Sequence, residues 1–527
     1  MTWWQHGVIY QIYPRSFMDT TGDGIGDLPG IVERLDHLVD LGVDAVWVSP
    51  FYRSPMADFG YDVEDYRDVD PIFGTLDDAD ALIAACHDRD LRVIVDYVPN
   101  HTSDRHRWFR ASRSSRDDPK RDWYVWRDPK PDGTLPNNWL SHFGGPAWTL
   151  DERTGQCYLH LFLPEQPDLN WRNPEVREAM YDVMRFWLER GVDGFRIDVA
   201  HLPMKDPGLR DNPPAHPGYV SGLHRRMPFD SQVHVHDGGH PDIHEVFREM
   251  RSVVDEYPDR YTVGEIAEHD LGVWASYYGD GDGLHMPFNF AYVLLPWEAA
   301  AYREAVEAVE AVVPDHGWPN HVLGNHDVAR IATRAGSEAR ARVAMAMLLT
   351  LRGTPTIYYG DEIGMPEVEV PSAARQDPWA LREEGQGRDG CRTPMLWTSD
   401  AGTGFGFGST EPWLPFGTAA GRTSVADQRD DPRSMLALTR RLLRLRRAEP
   451  ALHAGTYRTM PGTPSGVFAY TRGGEFAVAL SFVGASTTVE LGSGIVEVST
   501  GMDRIGEAVE GSVVLGPDEG LVVRLSG

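Results

Sequence analysis

Cysteine is scarce in this sequence. The 527-residue chain has three cysteines, Cys86, Cys157 and Cys391, with no CxxC pair and no metal-ligand spacing. A sparse and odd-numbered set argues against a disulfide framework and is typical of a protein in a reducing compartment. The cysteines therefore give no reason to expect a disulfide-stabilised scaffold.

Positive charge is also in short supply. Lys and Arg together number 50 against 79 Asp and Glu, which gives a formal net charge of -29 at pH 7. Nucleic acids and anionic membrane surfaces are bound by clustered basic residues, so this balance disfavours both as partners. It suits a soluble protein that acts on a neutral substrate.

Long apolar runs are missing as well. No stretch approaches the roughly 18 residues that a membrane span needs. The first ten residues have neither the basic segment nor the apolar segment of a signal peptide. We therefore expect a cytoplasmic protein, with no membrane partner and no organic cofactor, and the sequence leaves its oligomeric state open.

What the sequence does contain is a regular alternation of apolar runs and helical spacing. Helical stretches such as 28–41 and 76–88 separate runs that are each almost continuously apolar, as strands of a buried parallel sheet are. This order predicts an α/β fold, a (β/α)8 TIM barrel. The eight runs that predict its strands are 8–13, 43–49, 91–96, 194–198, 261–265, 285–290, 320–323 and 354–358.

Other segments interrupt and extend the predicted barrel. Residues 1–101 would form its first part, and the polar, Trp-rich residues 102–167 an inserted subdomain between strand 3 and helix 3. Residues 168–451 would complete it, with a rim insertion of Pro, Gly, His and Asp at about 202–241. Short β-type runs separated by Gly-rich turns predict a C-terminal antiparallel β domain at 452–527.

Charged residues interrupt the fourth predicted strand. Residues two apart on a strand share a face, so Arg196 and Asp198 should point the same way. An Asp beside a guanidinium keeps a low pKa, and a buried carboxylate that stays ionised is a candidate nucleophile. Taken alone, this pair is better explained as a structural ion pair at a strand end.

Further acids follow the neighbouring strands. Glu265 ends the fifth predicted strand, Asp327 follows the seventh, and His101 follows the third. The carboxyl ends of barrel strands meet on one face, where carboxylates that converge push their pKa values apart. One ionised and one protonated carboxyl group are what glycoside hydrolysis with retention requires. Together these residues favour catalysis over a purely structural role.

Four segments in order resemble the signature motifs of the α-amylase superfamily of retaining glycoside hydrolases. A fifth, residues 166–170 with the sequence Gln-Pro-Asp-Leu-Asn, is similar to the form typical of the oligo-1,6-glucosidase and α-glucosidase group. The resemblance covers essentially the whole chain. The four signature segments are 96–101, 194–201, Glu265 and 325–327.

The resemblance implies a role for each residue that matches. Asp198 would be the nucleophile, Glu265 the acid/base, and Asp327 the third acid, which grips the distorted sugar. Arg196, His101 and His326 would line the same subsite, and Asp96 would support Arg196. Asp58 and Tyr61 would hold and stack on the terminal glucose, and Arg388, favoured over Arg392, would pair with Asp58 and close the pocket. A closed pocket implies exo-action on short oligosaccharides.

Alternating acids and glycines at 19–27 resemble part of an EF-hand loop, although a plain Asp/Gly turn explains them as well. The family resemblance implies a structural Ca2+ or Mg2+ here. Its ligands would be Asp19, Thr21, Asp23, the carbonyl of Ile25, and Asp27.

Two questions about activity stay open at this stage. Val199 resembles the residue of α-1,6-preferring members, but the sequence Asp-Val-Ala-His at 198–201 departs from their usual Asp-Val-Ile-Asn. An α-glucosidase is the first hypothesis, and a transglucosylase or isomerase of the trehalose-synthase kind is the second. A non-catalytic relative is disfavoured because all three acids are present.

Overall fold

A computed structural model describes residues 2–222, 228–383, 385–418, 420–421 and 423–526. Eight parallel strands form the central sheet, in the order β6-β5-β4-β3-β2-β1-β8-β7. Strands β6 and β7 lie at the two ends of this nearly closed sheet, and the predicted (β/α)8 barrel is confirmed. The strands are β1 Ile9–Ile12, β2 Ala45–Val48, β3 Arg92–Tyr97, β4 Gly194–Ile197, β5 Tyr261–Gly264, β6 Met286–Pro287, β7 Asn320–Val322 and β8 Thr354–Tyr358.

Strand β6 is much shorter than the predicted run at 285–290. Its ladder with β5 covers only Met286 and Pro287. Proline has no N–H to donate, so regular pairing ends there. The N–H of Phe288 still donates to the carbonyl of Gly264 at 2.8 Å, which keeps the two segments together.

Helices cover the outside of the barrel. The first long helix begins after Asp27, whose carboxylate accepts the N–H of Gly30, and ends at Gly42, whose φ of 97° suits glycine. The long helices are Leu28–Leu41, Leu76–His87, Pro174–Glu189, Ile243–Val254, Ala299–Val312, Glu338–Thr350 and Met435–Ala448. Short helices lie at Trp3–His6, Arg107–Ser112, Leu271–Ser276, Ile331–Arg334, Pro378–Arg382, Val425–Arg429 and Pro450–His453.

Two insertions rise over the carboxyl ends of the strands. The segment between β3 and β4 contains a three-stranded antiparallel sheet of Trp126–Arg127, Gln156–Leu159 and Trp148–Asp151. Its apolar cluster of Trp139, Trp148 and Leu159 also includes Leu202 of the rim insertion. Residues 223–227 of that insertion lie outside the described part of the chain. A hairpin of Tyr52–Arg53 with Asp65–Val69 after β2 was not predicted.

The C-terminal segment folds as an antiparallel β domain with its own apolar cluster. Buried Arg472 connects it to the barrel, because its guanidinium donates to the carbonyl of Thr350 at the end of a barrel helix. Among the described residues, no helix has both the length and the apolar composition to cross a bilayer. The strands are Tyr457–Thr459, Val467–Arg472, Phe476–Ser481, Thr487–Glu490, Gly494–Ser499, Ala508–Val509, Ser512–Leu515 and Gly520–Leu525.

Candidate active site

Neighbouring parallel strands bring the candidate acids to one end of the barrel. Asp96 in β3 lies beside Arg196 in β4 in the ladder register. Asp198 directly follows β4, and Glu265 directly follows β5. Adjacent strand ends therefore place these side chains in one group above the barrel core.

Arg196 is the centre of that group. Its Nη1 lies 2.5 Å from the Asp96 carboxylate and 2.6 Å from that of Asp198, and its Nη2 lies 2.8 Å from that of Glu265. The guanidinium is buried, with a side chain 1% exposed, and lies over the ring of Trp47. One positive charge is thus shared among three carboxylates.

This sharing overturns one prediction about Asp198. Burial raises its pKa, Arg196 lowers it, and Glu265 and Asp96 raise it again, so the pKa lies well above the usual range of an Asp. Burial likewise raises the pKa of Asp96 to about 6, although Arg196 opposes the shift. The prediction of a low pKa for Asp198 is therefore wrong, because one guanidinium cannot compensate three buried carboxylates.

A strained backbone turn holds Glu265. Val199 has a φ of 35°, which is rare for a β-branched residue and concentrates at functional sites. In this conformation its N–H donates to Glu265 Oε2 at 3.0 Å, and the next N–H, of Ala200, donates to the Glu265 carbonyl at 2.9 Å. The turn after β4 thus fixes the acid that follows β5.

Asp327 is surrounded by positive and polar groups. Its Oδ1 accepts from Arg388 at 3.1 Å and from Arg392 at 2.9 Å, and its Oδ2 lies 3.2 Å from His326 Nε2. Burial raises the pKa of Asp327, but the guanidiniums of Arg388 and Arg392 more than offset this and hold it well below the usual range. The sequence did not assign Arg392 to Asp327, because this contact joins two distant loops.

Both candidate histidines are buried and neutral. Nδ1 of His326 lies 2.8 Å from the Gln11 amide nitrogen, and its Nε2 lies 2.8 Å from the Tyr61 hydroxyl. The rings of Tyr61 and His326 stack with their planes 1° apart. Burial lowers the pKa of His326 well below its usual value, and burial together with Lys205 lowers that of His101 to about 3. Neither ring brings a positive charge to the pocket at neutral pH.

Arg388 closes one side of the pocket. Its Nη2 lies 3.0 Å from Asp58 Oδ1 while its Nη1 reaches Asp327, so the guanidinium bridges the two acids. Phe143, from the inserted subdomain, lies against the guanidinium at 5.2 Å. The cavity has a volume of about 150 Å³. All nine predicted catalytic and substrate-binding residues lie in its lining or, like Arg196, directly beneath it.

The sequence analysis missed the aromatic and apolar part of the lining. His142, Phe143 and Phe162 come from the inserted subdomain, Leu202 from the rim insertion, and Trp379 from a segment beyond β8. The abundance of aromatics in residues 102–167 was the available signal, but it did not indicate which of them face the pocket.

The motif at 166–170 has a structural explanation in a buried network. Lys205 lies 2.6 Å from the Asp168 carboxylate and donates to the Asn100 side chain at 2.7 Å. The Asn100 amide nitrogen lies 3.1 Å from His101 Nδ1, and that of Gln166 lies 3.0 Å from His101 Nε2. The motif therefore orients His101 from behind.

The loop at 19–27 is held by hydrogen bonds of its own. The Asp19 carboxylate accepts the N–H groups of Thr21, Gly22 and Gly24 at 2.7–3.0 Å, and that of Asp27 caps a helix. In the described part of the chain, no three Asp, Glu, His or Cys side chains converge as an ion site. The cation at Asp19, Thr21, Asp23, Ile25 and Asp27 stays a prediction.

Comparison with known proteins gives the family. The model of the α-amylase catalytic domain matches residues 11–455. The chain belongs to the α-amylase family. A probable α-glucosidase of Rhizobium meliloti is 48% identical over 86% of this chain and 84% of its own. An oligo-1,6-glucosidase of Halalkalibacterium halodurans is 40% identical over 93% of this chain and 92% of its own.

Solved structures of α-amylase family relatives superpose along the full chain. The α-glucosyl transfer enzyme XgtA is 42% identical, with a TM-score of 0.94 over 99% of this chain and 100% of its own. The trehalulose synthase MutB from Pseudomonas mesoacidophila MX-45 is 34% identical, with a TM-score of 0.90 over 100% of both chains. Within one fold, the relatives thus include enzymes named for hydrolysis and enzymes named for transfer or isomer synthesis.

Proposed function

We propose that the protein is an exo-acting, retaining α-glucosidase that releases glucose from the non-reducing end of short α-glucosides of the maltose or isomaltose type. The observation that supports this most directly is the bridge from Arg388 to Asp58 and Asp327, beside the Asp198 and Glu265 pair. A pocket closed in this way admits a chain end and excludes the middle of a polymer. The substrate is a small oligosaccharide in the cytoplasm, and no organic cofactor takes part.

The proposed reaction is a double displacement. Asp198 attacks the anomeric carbon while Glu265 gives its proton to the leaving oxygen, and a covalent glucosyl-enzyme forms. Glu265 then takes a proton from water, which attacks the same carbon and releases glucose with its α configuration retained. Asp327, held by two guanidiniums, accepts hydrogen bonds from sugar hydroxyls and stays ionised in both steps.

Arg196 contacts both reacting acids, so it can stabilise negative charge on either of them in both steps. When Asp198 forms an ester it loses its negative charge, and the guanidinium then serves Asp96 and Glu265 alone. Glu265 becomes a carboxylate in the same step, with Arg196 Nη2 and the Val199 N–H already aimed at it. These donors need no rearrangement as the charge moves, which is the arrangement that favours catalysis.

The second candidate is a transglucosylase or disaccharide isomerase on the same scaffold. Its support is the similarity to an α-glucosyl transfer enzyme and to a trehalulose synthase. The glucosyl-enzyme is common to both candidates, and the difference lies in whether water or a sugar attacks it.

Product analysis on maltose, isomaltose, sucrose and trehalose separates the two candidates. For the glucosidase we expect glucose as the main early product, first seen as the α anomer by NMR. Disaccharide isomers as the main early products, with little glucose, would overturn the hydrolase. Release of β-glucose first would overturn the retaining mechanism.

A further inference from the structure

Asp377 lies behind the pocket wall and contacts Arg388 at three points. Its Oδ2 accepts from Arg388 Nε at 2.9 Å and from the Arg388 backbone N–H at 2.6 Å, and its Oδ1 accepts from Nη2 at 2.9 Å. Asp377 is fully buried and absent from the cavity lining. It can therefore affect a substrate only through the lining residues that it holds, and Arg388 is the one that it contacts at three points.

The pairing uses one edge of the guanidinium and leaves the other edge for the pocket. A two-point pair through Nε and Nη2 fixes both the position and the plane of an arginine. The remaining donors then point at Asp327, at 3.1 Å, and at Asp58, at 3.0 Å. The orientation of the bridge across the pocket thus depends on the carboxylate behind it.

Asp377 is itself held firmly. The carboxylate of Asp389, which follows Arg388, accepts the N–H of Asp377 at 3.0 Å and that of Gln376 at 2.8 Å. The backbone around Asp377 is therefore bound to the backbone segment that carries Arg388. Burial raises the pKa of Asp377, but Arg388 outweighs it and lowers the pKa to about 2. The anchor therefore stays charged at any pH at which a glucosidase works.

We propose that Asp377 is a positioning residue that holds Arg388 across the non-reducing end of the pocket and so enforces cleavage at the chain end. This inference rests on the proposed exo-acting function. A purely structural role is the alternative, because Asp377 also caps the short helix Pro378–Arg382 through the N–H of Trp379. The two roles differ in whether the choice of substrate changes.

The test uses Asp377→Asn and Asp377→Glu with two substrates: maltose, and a maltoheptaoside whose non-reducing end is chemically blocked. For Asp377→Asn we expect the KM for maltose to rise about tenfold or more, as for loss of a charged hydrogen bond, with a smaller change in kcat. The blocked substrate, inert to the native enzyme, should be cleaved. Asp377→Glu, which keeps the charge, should restore part of the native KM.

Asp193→Asn is the matched control. Asp193 is equally buried and pairs with Arg92 and Arg260, at the amino end of β4 and remote from the pocket. The Asp193→Asn variant should lose stability, but its KM for maltose should stay native-like and it should not cleave the blocked substrate. If Asp377→Asn does not fold, Arg388→Lys is tested in its place. Lysine keeps the positive charge but cannot make the two-point pair with Asp377, so this variant should show the same rise in KM and the same cleavage of the blocked substrate.

The outcomes separate the two proposals. Native enzyme that cleaves the blocked substrate refutes exo-action itself, whatever the variants do. The positioning role is refuted if the native enzyme is exo-acting and Asp377→Asn folds but behaves like it. In that case the KM of the variant for maltose lies within twofold of native, and the variant leaves the blocked substrate intact. An unfolded Asp377→Asn with a native-like Arg388→Lys refutes it as well.

Discussion

The ammonium of Lys205 lies 2.6 Å from the carboxylate of Asp168, and the two side chains are 5% and 0% exposed. Lys205 belongs to the rim insertion and Asp168 follows the inserted subdomain, so this ion pair joins two segments that are separate along the chain. Through Asn100 the pair also reaches His101 in the pocket. Assembly of the site and stability of the rim are therefore linked.

Lys205→Met should destabilise the protein strongly. It leaves the Asp168 carboxylate buried without its partner, a change that costs about 3–5 kcal/mol in comparable cases. Urea unfolding followed by circular dichroism measures the loss. Lys205→Met combined with Asp168→Leu removes both charges and should recover a large part of it. A single variant as stable as the native protein would show that the pair contributes nothing.

The acid side of the pH profile should lie higher than an ordinary Asp predicts. Burial and two neighbouring carboxylates raise the pKa of Asp198, and only its ionised form attacks. Activity is therefore lost on acidification at a pH well above 3.8, the usual pKa of an Asp. The profile of kcat/KM against pH measures this directly.

Asp96→Asn should move that acid limb to lower pH. It removes one negative charge and leaves Arg196 to Asp198 and Glu265, so the pKa of Asp198 falls. A limb that is centred near 4 in the native enzyme, or that does not move in the variant, would contradict the shared guanidinium.

Asp198→Asn should lower turnover by at least about a thousandfold, as loss of a nucleophile does. The fold should be retained, with a Tm equal to or above the native value, because one of three carboxylates that share Arg196 is neutralised. Activity on maltose and differential scanning calorimetry give the two readings. Native-like turnover would exclude Asp198 as the nucleophile.

Val199→Thr should change the preference between linkages and leave the chemistry intact. Thr is also β-branched, so it meets the same strained backbone at φ 35°. A single contact of this kind shifts discrimination by about 1–3 kcal/mol. We expect the ratio of kcat/KM for isomaltose over maltose to fall, as measured by glucose release from each. An unchanged ratio would show that Val199 does not select the linkage.

Part of this site could be predicted because each catalytic acid lies next to its own strand in the sequence. Parallel strands end on one face of a barrel, so Asp198, Glu265 and Asp327 follow from the positions of their strands. Arg392 and Phe143 could not be assigned, since their contacts join loops that are distant along the chain. The prediction of a low pKa for Asp198 was wrong for a related reason. The sequence shows one neighbouring Arg, but it does not show how many buried acids share the charge of that Arg.

The sharing of Arg196 gives the pocket a preference for positive charge. One positive charge faces three carboxylates there, so negative charge is in excess until a proton or a positively charged group arrives. A sugar ring that gains positive character at its anomeric carbon supplies this charge only as the bond breaks. The charge of the site thus matches the transition state better than it matches a neutral sugar, and a small hydroxylated ammonium ion would match it in the ground state.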